Sequence, residues 1–282
     1  MPETAHPWDG ARVALLTRHG KERVLAPLLS GAGLRVELVD DVDTDRLGTF
    51  TREVPRFGSQ LDAARKKATL AVERTGAAFG LGSEGSFGPG PFGLGAWNLE
   101  LVVLTDARGT LELVGRAQEP GLHHHGVVST FGELSSLAAA AGFPEHGLVL
   151  RPDHEDDPRL HKGVRTWPEL ERAFAAARAE SATGRVFVEN DLRAHQHPSR
   201  MATIARAGND LLERLTTLCP ACRTPGFGVV AAVPGLPCRD CGAPTREAHA
   251  DALACVRCEL RTTRPRPALT AADPAHCDHC NP

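Results

Sequence analysis

Eight cysteines fall into four Cys-x-x-Cys pairs, Cys219-Pro-Ala-Cys222, Cys238-Arg-Asp-Cys241, Cys255-Val-Arg-Cys258 and Cys277-Asp-His-Cys280, and none lies upstream of them. Two thiolates on one tight turn grip a tetrahedral ion, and a second such turn completes a closed all-thiolate site. The intervening stretches of 15, 13 and 18 residues suit the hairpins of a zinc ribbon. The pattern predicts two structural Zn2+ ions with no open coordination position for catalysis. Two pairings stay open: first pair with second and third with fourth, or a nested arrangement of first with fourth and second with third. The short middle gap and the apolar Ala252-Leu-Ala254 ahead of Cys255 lean toward nesting. A redox use of Cys-x-x-Cys needs one such pair beside a βαβ unit, not four in tandem.

Upstream, Thr17-Arg18-His19-Gly-Lys21 follows a short apolar run and precedes a helical pattern. That order sets hydroxyl, imidazole and ammonium groups beside the free N–H groups of a helix N-terminus, an anion-binding geometry. A second charged stretch, Asn190 to Met201, packs Asp191, Arg193, His195, His197 and Arg200 into one loop after an apolar run. Charged loops after strands are where α/β sheets hold ligands. The internal triplet His123-His-His125 reads as a solvated loop, and the acidic run Asp40 to Asp45 as a turn.

The elements that must position these groups follow from periodicity. Arg12 to Thr17 and Leu34 to Val39 read as strands around a helix from Lys21 to Ser30. Leu61, Ala64, Ala68, Ala71 and Val72 are spaced for one buried face of a helix from Ser59 to Thr75, which Gly76 ends. A strand over 77–81, a glycine-rich loop over 82–95 and strands over 98–105 and 110–116 come next, the last two joined by the turn Asp106-Ala-Arg-Gly109. Helices near 131–141, 169–181 and 201–218 alternate with strands near 148–150 and 185–188. The expected fold is an α/β domain with a mixed sheet over 1–217, followed by a small two-zinc ribbon domain over 218–282.

The 282 residues carry 32 Lys and Arg against 35 Asp and Glu, a formal net charge of −3, so no global basic field draws the chain to nucleic acid or to a membrane surface. The opening residues lack the pattern of a secretory leader, and no apolar stretch is long enough to span a bilayer. A cytoplasmic protein with no membrane partner is expected. Reduced thiols there favour metal ligation over disulfides.

Val13-Ala-Leu-Leu-Thr-Arg-His-Gly-Lys21 resembles the opening strand and Thr-Asn-x-x-Lys phosphate loop of the inosine/xanthosine triphosphatases, within the inosine triphosphate pyrophosphatase-like superfamily, with Arg18 in place of the asparagine. Leu61-Asp-Ala-Ala-Arg-Lys-Lys-Ala68 is similar to that family's Leu-Glu-Gly-Ala-x-x-Arg-Ala helix, Lys67 falling on its arginine. Gly80-Leu-Gly-Ser-Glu-Gly85 resembles Gly-Ile-Glu-Gly, with Glu84 the counterpart of its glutamate, and 108–116 resembles its later hairpin. Ser59-Gln60 stands where the family has Glu-Thr.

The resemblance, covering about 12–118, implies a Mg2+-dependent hydrolase of a nucleoside triphosphate or related phosphoanhydride. Thr17, Arg18, His19, Lys21 and Lys67 would then lie on the phosphates, Glu84 and Asp62 would hold Mg2+, and Arg200 would meet base or phosphate. The alternative of another class is a binding protein, its nucleotide pocket non-catalytic and its ribbons docking RNA or a protein partner through Arg239, Arg246, Arg257, Arg261, Arg264 and Arg266. Arg18-His19-Gly20 also resembles the histidine phosphatases, whose histidine is phosphorylated. Over nearly its whole length, through Asp43 to Arg52, Ser83 to Gly88, Asp191 to His195 and Cys277 to Pro282, the chain resembles an uncharacterised bacterial family, which implies no activity.

Overall fold

The computed structural model describes residues 8–41, 58–90, 93, 95–268 and 270–282; most of the acidic run and the 43–52 motif lie outside the described residues. The chain divides into two compact units, Met1–Leu212 and Glu213–Pro282. It is a mixed α/β protein with a mixed sheet and, among the described residues, five α-helices.

The first sheet of unit one has the order β2 (Arg35–Val39), β1 (Arg12–Leu16), β3 (Phe79–Pro89), β4 (Ala96–Asp106) and β5 (Glu112–Gly121). β1 runs parallel to both β2 and β3, and β3, β4 and β5 form an antiparallel meander. Long crossovers carry α1 (Glu22–Gly31) and α2 (Gln60–Thr75), as parallel pairing demands. α2 starts at a capping box, Ser59 with Asp62, stops at a left-handed Gly76, and buries Ala63, Ala64, Ala68 and Ala71.

The first part of the glycine-rich stretch that reads as a loop is strand: β3 runs unbroken from Phe79 to Pro89, and Gly90, Gly93 and Gly95 lie beyond it outside any strand. Gly80, Gly82 and Gly85 serve close packing rather than turning. A Cβ on Gly80 would overlap the Ala68 carbonyl oxygen, and one on Gly82 that of Ala64, so α2 lies with its backbone against the sheet. On the other face, Gly115 of β5 gives the same close approach to Ala207 of α5 (Pro198–Thr216).

The second sheet is antiparallel throughout, in the order β6 (His125–Val128), β9 (Val186–Asn190), β7 (Leu148–Pro152), β8 (His161–Val164). α3 (Phe131–Ala140) and α4 (Trp167–Glu180) begin at Thr-x-x-Glu capping boxes and close a core of Leu134, Leu148, Leu150, Leu170, Phe174 and Val188. The histidine triplet spans the short connection between β5 and β6: His123, partly buried, and His124, exposed, lie in it, and the exposed His125 opens β6. Pro120, which masks the strand in the sequence, sits on an edge strand, where its missing N–H costs no ladder bond.

Unit two is a three-stranded antiparallel meander, β10 (Gly228–Pro234), β11 (Ala248–Ala254) and β12 (Arg261–Pro265). Its first residues are the last turn of α5, whose Arg214 carbonyl accepts from the Gly226 N–H. Among the described residues no helix is long and apolar enough to cross a membrane.

Candidate functional site

Alternation along β3 sorts the polar residues of unit one onto two faces. Glu84 and Ser86 point with Gly82 toward α2, where Glu84 forms an ion pair with Lys67. Gln60 at the start of α2 donates to the carbonyls of Glu84 and Leu99, both at 2.9 Å, and accepts from Ser86 Oγ at 2.8 Å. On the opposite face the Lys21 ammonium donates to the Ser83 carbonyl at 2.8 Å and to its hydroxyl at 3.2 Å. Next to it, Arg200 from the first turn of α5 pairs with Glu100 of β4 at 2.5 Å and donates to the Leu192 carbonyl. Gly85 makes room for that pair, since a Cβ there would strike both side chains.

Lys21, Lys67, Arg200, Glu84 and Glu100 are each at most 8% exposed, so three cations face two carboxylates inside the protein. Isolated buried charge is costly, and one positive charge here has no carboxylate of its own. The strain falls on Lys21. Burial and the nearby Arg200 push its pKa down to about 7, against the pull of Glu84 and Glu100. Lys67 and Lys21 in turn hold the Glu84 carboxyl below its usual range, overcoming the opposing effect of burial. Such a cluster accepts an anion without new cations having to be gathered.

The structure thus brings together Lys21, Lys67, Glu84 and Arg200, which are far apart in sequence. It does not bring Asp62 to them: that carboxylate receives the Ser59 N–H and hydroxyl, faces Arg65, and lies on the exposed side of α2. These bonds hold its pKa down, with Ser59 the chief cause. Thr17 is buried, its hydroxyl oxygen accepting the His19 N–H, and Arg18 is exposed. The His19 ring stacks on His195 at 5.1 Å, joining the loop after β1 to the turn before α5. The His123 ring packs against Phe87 and His125.

Sequence reasoning missed Glu100, Ser83, Gln60 and Asn98. A lone glutamate inside the apolar run Leu99-Glu-Leu-Val-Val was the available signal for Glu100. Asn98 is 2% exposed with neither amide atom hydrogen-bonded among the described residues, and it lines a small recess with Phe87, Arg200 and Thr203.

In unit two the cysteines form two tetrads, Cys219, Cys222, Cys255, Cys258 and Cys238, Cys241, Cys277, Cys280, with all Sγ atoms of each within 4.8 Å of one another. Cross-pair Sγ separations are 3.7 and 3.6 Å in the first tetrad and 3.9 and 3.6 Å in the second. A tetrahedron of Zn–S bonds near 2.3 Å sets its sulfurs ~3.8 Å apart, so both tetrads fit Zn2+. A disulfide needs about 2.05 Å, and all eight cysteines are free. Backbone N–H groups of Arg257 and Cys258 point at Cys255 Sγ, both at 3.3 Å, as a thiolate requires. Thr224 lowers the Cys222 pKa to about 6 through its hydroxyl and N–H, and the N–H groups of Cys241 and Asp240 lower Cys238 to about 7.

Neither pairing read from the sequence is the one that forms. First joins third and second joins fourth, an interleaved arrangement. The meander dictates it: β11 returns Ala254 to a position opposite Gly228, so the third pair meets the first, while β12 ends at Pro265 opposite Ala250 and sends the chain back toward the second. An up-down-up sheet puts alternate connections at opposite ends.

The first two turns share a backbone conformation but close on different residues. Each closes with an N–H donated to the carbonyl of its first cysteine at 2.9 Å, from Arg223 in one and Gly242 in the other, with φ of 61° and 75°. Glycine adopts this left-handed conformation freely, whereas an arginine there costs on the order of 1–2 kcal/mol.

No curated protein and no solved structure matches the chain. The family profile described as Domain of unknown function (DUF6671) matches residues 67–282, which takes in Lys67, Glu84, Glu100, Arg200 and both cysteine tetrads. The chain belongs to that family.

Proposed function

We propose that unit one binds and hydrolyses a nucleoside triphosphate or related phosphoanhydride, with Lys21, Lys67 and Arg200 as its phosphate contacts. The observation that carries this reading is the buried excess of one cation, which is relieved either by loss of the Lys21 proton or by a bound anion. Thr17, Arg18 and His19 form the loop beside it. A phosphate oxygen that takes over Lys67 releases the Glu84 carboxylate, which then orients a water for attack on phosphorus and accepts its proton as pyrophosphate departs.

The protein residues fit a preformed Mg2+ site poorly: Glu84 is held by Lys67, Glu100 by Arg200, and Asp62 by its cap. Mg2+ would arrive on the phosphates, where it supplies charge neutralisation. One observation favours the non-catalytic reading instead. Ser59-Gln60, standing where the resembling family has Glu-Thr, is fully engaged in capping α2 and bridging it to β3 and β4. Calorimetric titration with nucleoside triphosphates, with and without Mg2+, followed by a pyrophosphate-release assay, tests both. Turnover lost in Glu84→Gln with binding retained supports hydrolysis; binding without turnover in the unaltered protein leaves the binder; no binding by either, or binding unaffected by Lys21→Ala, sinks the site.

A further inference from the structure

The arginines of unit two are sorted by the fold into paired and unpaired sets. Arg264 and Arg266 converge on Asp251 at 3.4 and 2.7 Å, Arg246 meets Asp278 at 3.0 Å, and Arg239 lies 3.8 Å from Asp240. Arg223, Arg257 and Arg261 have no acidic or hydrogen-bonding side-chain partner among the described residues, and all three are exposed. They are not scattered. Arg223 follows Cys222, Arg257 precedes Cys258, and Arg261 opens β12 just beyond, so they surround the same tetrad. Arg257 and Arg261 line an open recess of about 460 Å3 with Val256, Leu260 and Glu259.

We propose that this end of the ribbon docks the phosphate backbone of a single nucleic acid strand through Arg223, Arg257 and Arg261. Planar guanidinium forks match phosphate oxygens two at a time, and a strand offers one phosphate per nucleotide, so all three are filled without any particular sequence. The strained Arg223 is the independent observation. Its counterpart in the other tetrad is the unstrained Gly242, so the turn does not need an arginine, and a side chain kept at a backbone cost points to a contact it makes. The recess has no aromatic lining on which bases would stack and no helix to enter a duplex groove, which leaves the backbone charge as what is recognised.

The test is fluorescence anisotropy of a 20-nucleotide oligouridylate with the full-length, zinc-loaded protein across a salt series. Three phosphate contacts on a single strand give a log–log salt slope of about −2. The triple variant Arg223→Ala, Arg257→Ala, Arg261→Ala, with two zinc ions per chain verified by release assay, loses at least tenfold in affinity and most of that slope. Arg223→Gly weakens binding while raising thermal stability, because it relaxes the turn and removes the contact. Arg239→Ala with Arg246→Ala, at the other tetrad, leaves binding unchanged. The proposal is overturned if the oligonucleotide does not bind at low salt, if the triple variant binds as well as the parent, or if poly-glutamate competes with equal affinity, which would make the partner an acidic protein.

Discussion

The buried charges of unit one and the thiolates of unit two solve the same problem, how to hold like charges close together, in opposite ways. In the ribbon, eight cysteine sulfurs sit in four local turns, and two divalent ions would neutralise half the charge of the eight thiolates that bind them. In the sheet, three cations from residues 21, 67 and 200 are held by two carboxylates from residues 84 and 100, and the remaining charge is borne by Lys21 as a depressed pKa. The ribbon's sulfurs converge on two points where a metal fits, so its folding is expected to depend on the ion, whereas the charge cluster is held by a hydrophobic scaffold. A site whose ligand is structural is closed, whereas the unmatched charge of unit one is where an anion is proposed to bind.

That contrast is broken most forcefully by removing zinc. Chelation is expected to unfold β10–β12 while α1–α4 keep their amide protection, since structural zinc supplies roughly 10–16 kcal/mol in small zinc modules; hydrogen exchange before and after chelator reads both units at once. Loss of protection across unit one would show that the scaffold also leans on the metal. Next in size is Glu100→Ala, which strands Arg200 in a buried site and should cost about 3–5 kcal/mol in denaturant unfolding. The paired replacement Glu100→Leu with Arg200→Met should cost less than this single change, because no charge is left unpartnered.

A smaller effect tests the scaffold itself. Gly82→Ala should lose about 1–3 kcal/mol by forcing α2 off the sheet, whereas Gly88→Ala on the same strand, with open space around it, should fall within roughly 0.5 kcal/mol of the parent. The mildest test is pH. Lys21 is charged below its folded pKa of about 7, so sulfate, which does not titrate in this range, should bind best below pH 7 and weaken by up to about tenfold per unit above it. Stability moves the other way: between about 7 and its unfolded value of 10.5 the unfolded chain binds the proton more tightly, so Lys21 favours the fold increasingly as pH rises. Sulfate affinity that stays flat in this window while Lys21→Ala abolishes binding would mean that Lys21 stays charged.

Much of the scaffold is legible because its signals are local. The apolar run 13–16, the alanine face and Ser59 cap of α2, and the Thr-x-x-Glu starts of α3 and α4 each act within a few residues. β3 escapes such a reading because glycine means two different things: a flexible turn when unpacked, and a thin strand when a helix presses on it. Only the presence of α2, many residues upstream, distinguishes them. Of the site, Lys21, Lys67, Glu84 and Arg200 are legible and converge, while Asp62 is drawn to a capping role that its spacing from Ser59 already allows.

By itself the sequence determined that four Cys-x-x-Cys turns would present eight thiolates, because the turn that aims two sulfurs at one ion is a property of four consecutive residues. Which turns share an ion was decided only by the strand order of the meander, and which arginines stay unpaired only by where Asp251 and Asp278 fall. The same holds for the buried cluster. Its charges are written in the sequence, but their sum matters only once close packing through Gly80, Gly82 and Gly85 removes water and brings the two faces of one strand within electrostatic reach.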